Sequence, residues 1–199
     1  NYLFFGAADK IEKEAKDTLL ASEKVSIDIW HYQDQRIQPQ QLLQLKEDRK
    51  KSDLYVLNLE NKNSLKISND TLKIRVNKNL IGDYVIATSN EAYAIQAQWR
   101  SPGLEDVYRI HLPSNEIVKI KSALAFGGSL SPKGRFYAYF NHDQKQHFLV
   151  DMQTQAEICV TCEVKNVNWQ EDVNGQPLPA GPIDDLQYVA GEEEFVVLS

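Results

Sequence analysis

The only cysteines of the sequence, Cys159 and Cys162, form a C-x-x-C motif whose sulfur atoms could bind a metal or form a disulfide. One such pair supplies half of a four-ligand zinc site, and no histidine follows it at a useful spacing. A thioredoxin-like motif should follow a strand and open a helix, whereas residues 158–164 have the composition of a strand and a turn. Three interpretations stay open: half-buried cysteines at a strand end, a local disulfide, and metal or redox chemistry.

The sequence does not indicate a serine nucleophile. Ser129 lies in Gly127–Ser131, the segment nearest to G-x-S-x-G, but the final glycine is missing and Pro132 leads into a turn. We therefore expect Ser129 to be a strand residue. None of the histidines has an acidic partner that the sequence identifies, so surface or strand-edge roles are expected for them. They are His31, His111, His142 and His147. The sequence predicts no catalytic residue, no metal site and no cofactor.

Charge and composition exclude several classes of protein. The formal net charge is −6, whereas nucleic-acid-binding domains usually carry an excess or a cluster of Lys and Arg. Hydrophobic residues make up 42% of the chain, which is enough to form a core. No apolar run approaches the roughly 18–20 residues that a membrane helix needs. We expect a folded chain with no nucleic-acid partner and no membrane span.

An internal repeat indicates how this core is built. Asp53–Leu59 recurs as Asp106–Leu112, 53 residues later, and Leu65–Ile67 falls in the same phase on Val118–Ile120. A third copy follows after another 40 residues, with apolar side chains at Phe148, Val150, Met152, Ile158 and Val160. Each copy alternates apolar and polar residues with period 2 and contains a short polar connection, which predicts an antiparallel hairpin.

The repeat predicts an all-β, partial β-propeller of four-stranded antiparallel blades. Further strands, opened by Gly82 and Gly134, precede two of the hairpins, so each unit holds about four strands in roughly 40–50 residues. A closed propeller has about four to eight blades, so we expect about three blades with ragged ends, in a piece of a longer protein. The approximate blades are residues 1–70, 71–122 and 123–165, with the start of another at 166–199.

One segment does not fit the strand pattern. Residues 38–49 are rich in helix formers, with Pro39 suited to a first turn, and predict one short helical insertion. Residues 174–182 hold three prolines and two glycines and predict a loop. Six aromatic residues could line a ligand groove, although packing between blades is expected for most of them. They are Trp30, Tyr32, Tyr93, Trp99, Tyr137 and Tyr139.

Three segments resemble a known family. Ser131–Tyr139 resembles the S-P-D-G-K-x-hydrophobic-A signature of propeller blades in the prolyl oligopeptidase family and in TolB-like proteins. Asp53–Leu59 looks like their D-L-Y-hydrophobic strand. Ile27–Gln41 is similar to a D-[VI]-W-x-[WY]-x-D-x-x-[LI]-Q-x-x-Q stretch in the propeller of exported bacterial peptidases of that family. The resemblance covers nearly the whole chain, but only as a propeller. Within residues 27–41, we expect a strand around His31 that also carries Trp30 and Tyr32.

The resemblance implies a role beside a serine hydrolase. In that family an α/β-hydrolase domain carries the catalytic serine, aspartate and histidine, and the propeller gates and orients peptide substrates. It implies an exported, periplasmic or cell-envelope protein. Dipeptidyl peptidases of the family also direct two propeller glutamates at the amino terminus of the substrate, which makes Glu192 and Glu193 candidates by analogy. A charged turn that leads into a strand is the favoured interpretation of these residues.

Two further expectations concern partners. The alternative function is a stand-alone TolB-like propeller that binds protein or glycan. In either case an incomplete ring leaves exposed edge strands, at Asn1–Phe5 and Phe195–Leu198, and exposed edges tend to pair with other chains. We expect the isolated chain to self-associate through these edges.

Overall fold

The structure, a computed structural model, describes residues 1–10, 18, 20, 22–25, 27–76, 82–171, 173, 175, 179–188 and 195–197. Its regular elements are mostly short strands, in agreement with the period-2 pattern. The strands are β1 (Tyr2–Ala7), β2 (Asp53–Asn58), β3 (Ser64–Lys66), β4 (Lys73–Arg75), β5 (Tyr84–Ser89), β6 (Glu105–His111), β7 (Glu116–Leu124), β8 (Gly128–Leu130), β9 (Phe136–Asn141), β10 (Gln146–Asp151), β11 (Glu157–Cys159), β12 (Leu186–Tyr188) and β13 (Phe195–Val197). The helices are α1 (Gln38–Asp48) and two short 3-10 helices, Glu91–Tyr93 and Gln96–Gln98.

The strands form four antiparallel sheets, numbered here in chain order. The first sheet is β1-β2-β3, the second β4-β5-β6-β7, the third β8-β9-β10-β11 and the fourth β12-β13. Within each sheet, strands that follow one another in the chain pair with each other. Short turns join the strands of hairpins such as β6–β7 and β9–β10, whereas longer connections join β1 to β2 and β5 to β6. The predicted fold class, a partial β-propeller of antiparallel blades with a helical insertion, is confirmed. The first sheet has three strands in the described part of the chain instead of the expected four.

Neighbouring sheets stack face to face, and their facing side chains form the core. In β5, Val85 points toward the first sheet and Ile86 toward the third, as period 2 requires. Between the first and second sheets lie Val56, Ile67, Val85, Ala87, Ile110 and Leu112. Between the second and third sheets lie Ile86, Val107, Leu124, Tyr137, Tyr139, Val150 and Met152. Ala138, Leu149 and Leu186 join the third sheet to the fourth.

A buried arginine also links the second and third sheets. Arg109, on β6, donates a hydrogen bond to the main-chain carbonyl of Met152 and lies over the Tyr84 ring, 5.4 Å from its centroid. Its second amine nitrogen lies 3.4 Å from a Glu116 carboxylate oxygen, while its Nε has no hydrogen-bond partner among the described residues. Because a buried guanidinium needs partners, this contact favours one alignment of the two sheets.

The long connection between β1 and β2 carries the helical insertion. The predicted helix is confirmed as α1, with Pro39 in its first turn, and none of its residues is buried. The strand expected around His31 is wrong, because residues 27–37 form no strand and no neighbouring strand hydrogen-bonds to them. Among the described residues, no helix has the length and apolar character needed to cross a membrane.

Candidate functional site

Cys159 and Cys162 are joined by a disulfide, with their Cα atoms 5.6 Å apart. Cys159 is the last residue of β11 and is partly covered, while Cys162 is exposed in the turn that follows. The pair therefore closes a small loop around Val160 and Thr161 at the edge of the third sheet. The other predicted candidates, Glu192 and Glu193, lie outside the described residues.

Of the residues considered for catalysis, Ser129 and His147 lie on strands of the third sheet, His111 ends β6 of the second sheet, and His31 lies in the connection between β1 and β2. Ser129 is in the middle of β8, where its main-chain carbonyl accepts a hydrogen bond of 3.1 Å from the Tyr188 hydroxyl. The sequence predicted a surface or strand-edge position for His147. The structure instead places it on β10, where it is only 2% exposed. Its ring packs against Phe140 and, edge to face, against Trp169. His147 is buried because Trp169 covers it, and the local sequence pattern around β10 does not indicate that Trp169 packs on this strand.

A cleft of about 590 Å³ opens between the second and third sheets. One wall is the C-terminal half of β7 and the other is the end of β9 with the turn that follows it. Its lining residues are Arg100, Leu104, Lys119, Ile120, Lys121, Ser122, Ala123, Leu124, Ala125, Tyr139, Asn141, His142 and Asp143. We call it the interblade cleft. Its side chains include three cations, so hydrogen-bond donors dominate its polar groups.

Asp106 organises one side of the interblade cleft. Asp106 is 5% exposed, and its carboxylate accepts hydrogen bonds from the Tyr93 hydroxyl at 2.6 Å, from Lys119 Nζ at 2.5 Å and from the Ala123 amide at 3.1 Å. Burial alone would raise the pKa of Asp106, but these donors outweigh it and lower the pKa below its ordinary value. Ala123 has φ +55°, an uncommon conformation for a residue with a Cβ, and the Asp106 contact secures it.

Glu157 organises the other side in the same way. It accepts hydrogen bonds from Lys121 Nζ and from the Tyr139 hydroxyl, and Lys121 Nζ lies 4.9 Å from the centroid of the Tyr139 ring. Burial would raise the pKa of Glu157, but its two donors lower it. Burial, followed by the hydrogen bond to Glu157, raises the pKa of the Tyr139 phenol. Lys119 and Lys121, which both line the interblade cleft, are thus each paired with one carboxylate.

The Asp106–Lys119 ion pair repeats an ion pair of the first sheet. Asp53 and Lys66 occupy the corresponding positions 53 residues earlier, and Lys66 Nζ lies 2.6 Å from Asp53 Oδ2. Sequence reasoning aligned these residues as part of the repeat but assigned no role to their charges. The signal was available, because an aspartate and a lysine recur in the same phase of adjacent strands.

The expectation for the aromatic residues holds for some and is wrong for others. Tyr137 and Tyr139 are buried between the second and third sheets, as expected. Trp30, Tyr32 and Trp99 are exposed and cover no sheet in the described part of the chain. Packing between blades therefore accounts for the aromatics of β9, and not for Trp30 and Tyr32 between β1 and β2 or for Trp99 between β5 and β6.

A second, larger groove of about 970 Å³ lies between α1 and the first two sheets. Its lining is rich in side-chain amides, among them Gln35, Gln40, Gln44, Asn69, Asn90 and Gln98. Gln98 Nε2 donates a hydrogen bond of 3.0 Å to the Asp34 carbonyl and so ties this side of the groove to the long connection. Such groups can bind hydroxyl groups or peptide amides.

The segment 27–41 beside this groove bonds internally. Gln38 Nε2 donates to Asp28 Oδ1 at 2.7 Å, and Gln41 Nε2 donates to the Arg36 carbonyl at 2.7 Å. The apolar side chains of the same segment point away from the protein: Ile27, Ile29, Trp30 and Tyr32 are all 63% or more exposed. The polar residues of the segment therefore hold its shape, while its apolar residues remain uncovered.

Comparison with known proteins gives no family assignment. No family model and no curated protein matches the chain. Among solved structures, it is similar to TolB from Acinetobacter baumannii, with a TM-score of 0.35 and 13% sequence identity. The match covers 72% of this chain and 31% of the TolB chain. A similarity at this level carries no argument, so the propeller-like arrangement rests on the order and stacking of the sheets.

Proposed function

We propose that this chain is the non-catalytic β-propeller portion of a serine peptidase of the prolyl oligopeptidase family. In this role it gates and orients peptide substrates for a hydrolase domain that carries the catalytic serine, aspartate and histidine. The parent protein is exported to the periplasm or cell envelope. The stacked antiparallel sheets agree with the role but do not distinguish it from other propellers.

The observation that carries the proposal is the state of the segment 27–41. This segment bears the D-I-W…Q-P-Q-Q residues that resemble exported peptidases of the family. Its conformation is held by hydrogen bonds within the segment and by bonds to α1 and Gln98, so the polar residues are already satisfied within this chain. Yet Ile27, Ile29 and Trp30 are left in water, and exposed apolar patches commonly mark an interaction site. A hydrolase domain that covers these side chains explains both features.

The interblade cleft supplies the contacts to peptide in this proposal. Lys119 and Lys121 each use one ammonium proton for a carboxylate and retain others for main-chain carbonyls of an extended peptide. The cleft orients a chain and leaves its hydrolysis to the partner domain, because the sequence has no G-x-S-x-G.

The first experiment is to read the gene beyond the codon for Ser199. We expect a reading frame with G-x-S-x-G followed by an aspartate and a histidine, and we expect a fluorophosphonate probe to label the full-length protein but not the isolated chain. A frame without these motifs would overturn the proposal.

The second experiment tests the segment 27–41 in the full-length protein. We expect Trp30→Ser to weaken association of the propeller with the hydrolase domain in limited proteolysis. Trp99→Ser is the matched control, because Trp99 is 73% exposed and Trp30 63%, while only Trp30 belongs to the motif. Equal effects of the two substitutions would argue against a docking role for the motif.

A second candidate function is a stand-alone binding module for protein or glycan. The observation that favours it is the amide-rich groove beside α1, because side-chain amides donate and accept hydrogen bonds as sugar hydroxyls require. Titration calorimetry with soluble envelope oligosaccharides tests it. Absence of binding, together with a hydrolase domain in the same gene, would exclude this candidate.

A further inference from the structure

The first and third sheets use the same hydroxyl bridge at their edges. In the first sheet, Ser68 Oγ accepts a hydrogen bond of 2.7 Å from the Leu54 amide and lies 3.3 Å from Asp53 Oδ1. In the third sheet, Thr161 Oγ1 accepts a hydrogen bond of 2.9 Å from the His147 amide and donates to Gln146 Oε1. The repeat aligns these two arrangements residue by residue.

The two sheets differ in the bond that secures this bridge. In the first sheet Lys66 pairs across from Tyr55 and forms an ion pair with Asp53. The repeat places Gln146 at the aspartate position and Cys159 at the lysine position of the third sheet, so no ion pair can form. Cys159 is instead bonded to Cys162, with Thr161 between the two cysteines. The third sheet thus has a disulfide where the first sheet has an ion pair. A reductant can break the disulfide but has no effect on the ion pair.

The loop that the disulfide closes also contacts a larger packed unit formed by His147 and Trp169. Thr161 is 1% exposed, and Val160 donates its amide to the His147 carbonyl at 2.8 Å. His147 packs edge to face against Trp169, which follows Cys162 by only seven residues. The buried Nε1 of Trp169 has no hydrogen-bond partner in the part of the chain that the structure describes, so packing on His147 and main-chain bonds hold the residue in place. The Cys162 end of the loop thus leads directly into the segment that carries Trp169.

We propose that the Cys159–Cys162 disulfide is a redox switch that fastens the edge of the third sheet and the Trp169 segment when oxidised and releases them when reduced. The reductant is a dithiol. Its thiolate attacks the exposed Sγ of Cys162, the S–S bond breaks, and Cys159 leaves as a thiolate that takes up a proton. The second thiol of the reductant then attacks the mixed disulfide and forms its own intramolecular disulfide. Two electrons pass to the protein, which ends with two thiols.

The test is hydrogen exchange of single amides with and without dithiothreitol, with reduction verified by titration of two thiols. We expect exchange at the Val160 amide to rise about tenfold or more on reduction, because local opening governs exchange at a sheet edge. The matched amide of the first sheet, that of Ile67, donates to the Leu54 carbonyl at 3.0 Å and should not change. Trp169 emission should shift to the red, whereas Trp30 and Trp99 already face water.

Two variants separate the switch from a general loss of stability. Cys159→Ser with Cys162→Ser should reproduce the reduced state without reductant. Gln146→Asp with Cys159→Lys and Cys162→Ser installs the ion pair of the first sheet and should protect the Val160 amide regardless of reductant. The proposal is overturned if dithiothreitol leaves the disulfide intact in the native protein. Unchanged exchange at Val160 after verified reduction, or equal changes at Val160 and Ile67, would also overturn it.

Discussion

Replacing Gly82 by alanine tests whether close backbone approach holds the second and third sheets together. Gly82 precedes β5, and a Cβ built on it would lie 1.8 Å from the Lys133 carbonyl oxygen and 2.8 Å from the carbonyl carbon. Favourable non-bonded contacts of carbon atoms are about 3.5–4.0 Å long, so the two backbones would have to separate by about 1.5 Å. No change of rotamer relieves this clash, because the opposing atoms are main chain.

The expected cost follows from the geometry. Overpacking that forces backbone shifts typically costs about 1–3 kcal/mol. For a domain of this size, 1 kcal/mol changes Tm by about 2–4 °C, so Gly82→Ala should lower Tm by about 2–12 °C. The main consequence should be a looser contact between the turn before β5 and the turn before β9, which lie on opposite sides of the boundary between the two sheets.

Urea unfolding followed by far-UV circular dichroism measures this cost, with Gly103→Ala as the matched control. A Cβ on Gly103 would meet only the Cβ of Ala97, at 3.8 Å, which is an ordinary contact. The control should therefore keep or slightly raise the unfolding midpoint, since alanine restricts the unfolded chain more than glycine does. Equal midpoints for Gly82→Ala and the wild-type chain would refute the claim that the two sheets meet at Gly82.

Three further predictions concern charge, pH and association. Asp106→Asn should cost about 1–3 kcal/mol in urea unfolding, because three donors lose a buried charged acceptor. Asp53→Asn, at the equivalent position with a more exposed side chain (37% against 7%), should cost clearly less, and equal losses would contradict the role of burial. Burial lowers the pKa of His147 below its ordinary value, so the unfolded chain binds a proton at this residue more readily than the folded chain does. The contribution of His147 to the free energy of unfolding should therefore be constant above about pH 6.5 and fall at lower pH. His147→Phe should lose that fall when unfolding is measured between about pH 7.5 and 5. In the described part of the chain β1 pairs only with β2, and Leu3 and Phe5 on β1 are 51% and 39% exposed. Light scattering should therefore show a mass that rises with protein concentration, and the double substitution Leu3→Lys with Phe5→Lys should abolish the rise. A monomer at all concentrations would refute this prediction.

The strands and α1 were predictable because their signals are local. Alternation over Asp106–Leu112 defines one strand and its two faces within seven residues, and Pro39 with the following helix formers defines α1. The repeat by itself also aligns Asp106 and Lys119 with the equivalent aspartate and lysine of the first hairpin. The strand expected around His31 failed for the complementary reason: an apolar, β-prone segment becomes a strand only when another strand is available to pair with it.

The candidate sites were less predictable because they depend on contacts between distant parts of the chain. Arg109 reaches the Met152 carbonyl, 43 residues away, and the interblade cleft exists only where the second and third sheets diverge. The disulfide remained one of three interpretations of C-x-x-C until the backbone placed Cys159 and Cys162 in bonding range.

Local sequence was thus sufficient to establish which residues form hairpins and which of their side chains alternate, since hydrogen bonds between neighbouring strands and short turns require only nearby residues. Only the tertiary structure decided which faces are covered. It buried His147 beneath Trp169 and left Trp30 in water, although both tryptophans lie in irregular connections. The physical reason is that burial is a property of a pair of surfaces, and the second surface is contributed by residues that the local pattern does not contain.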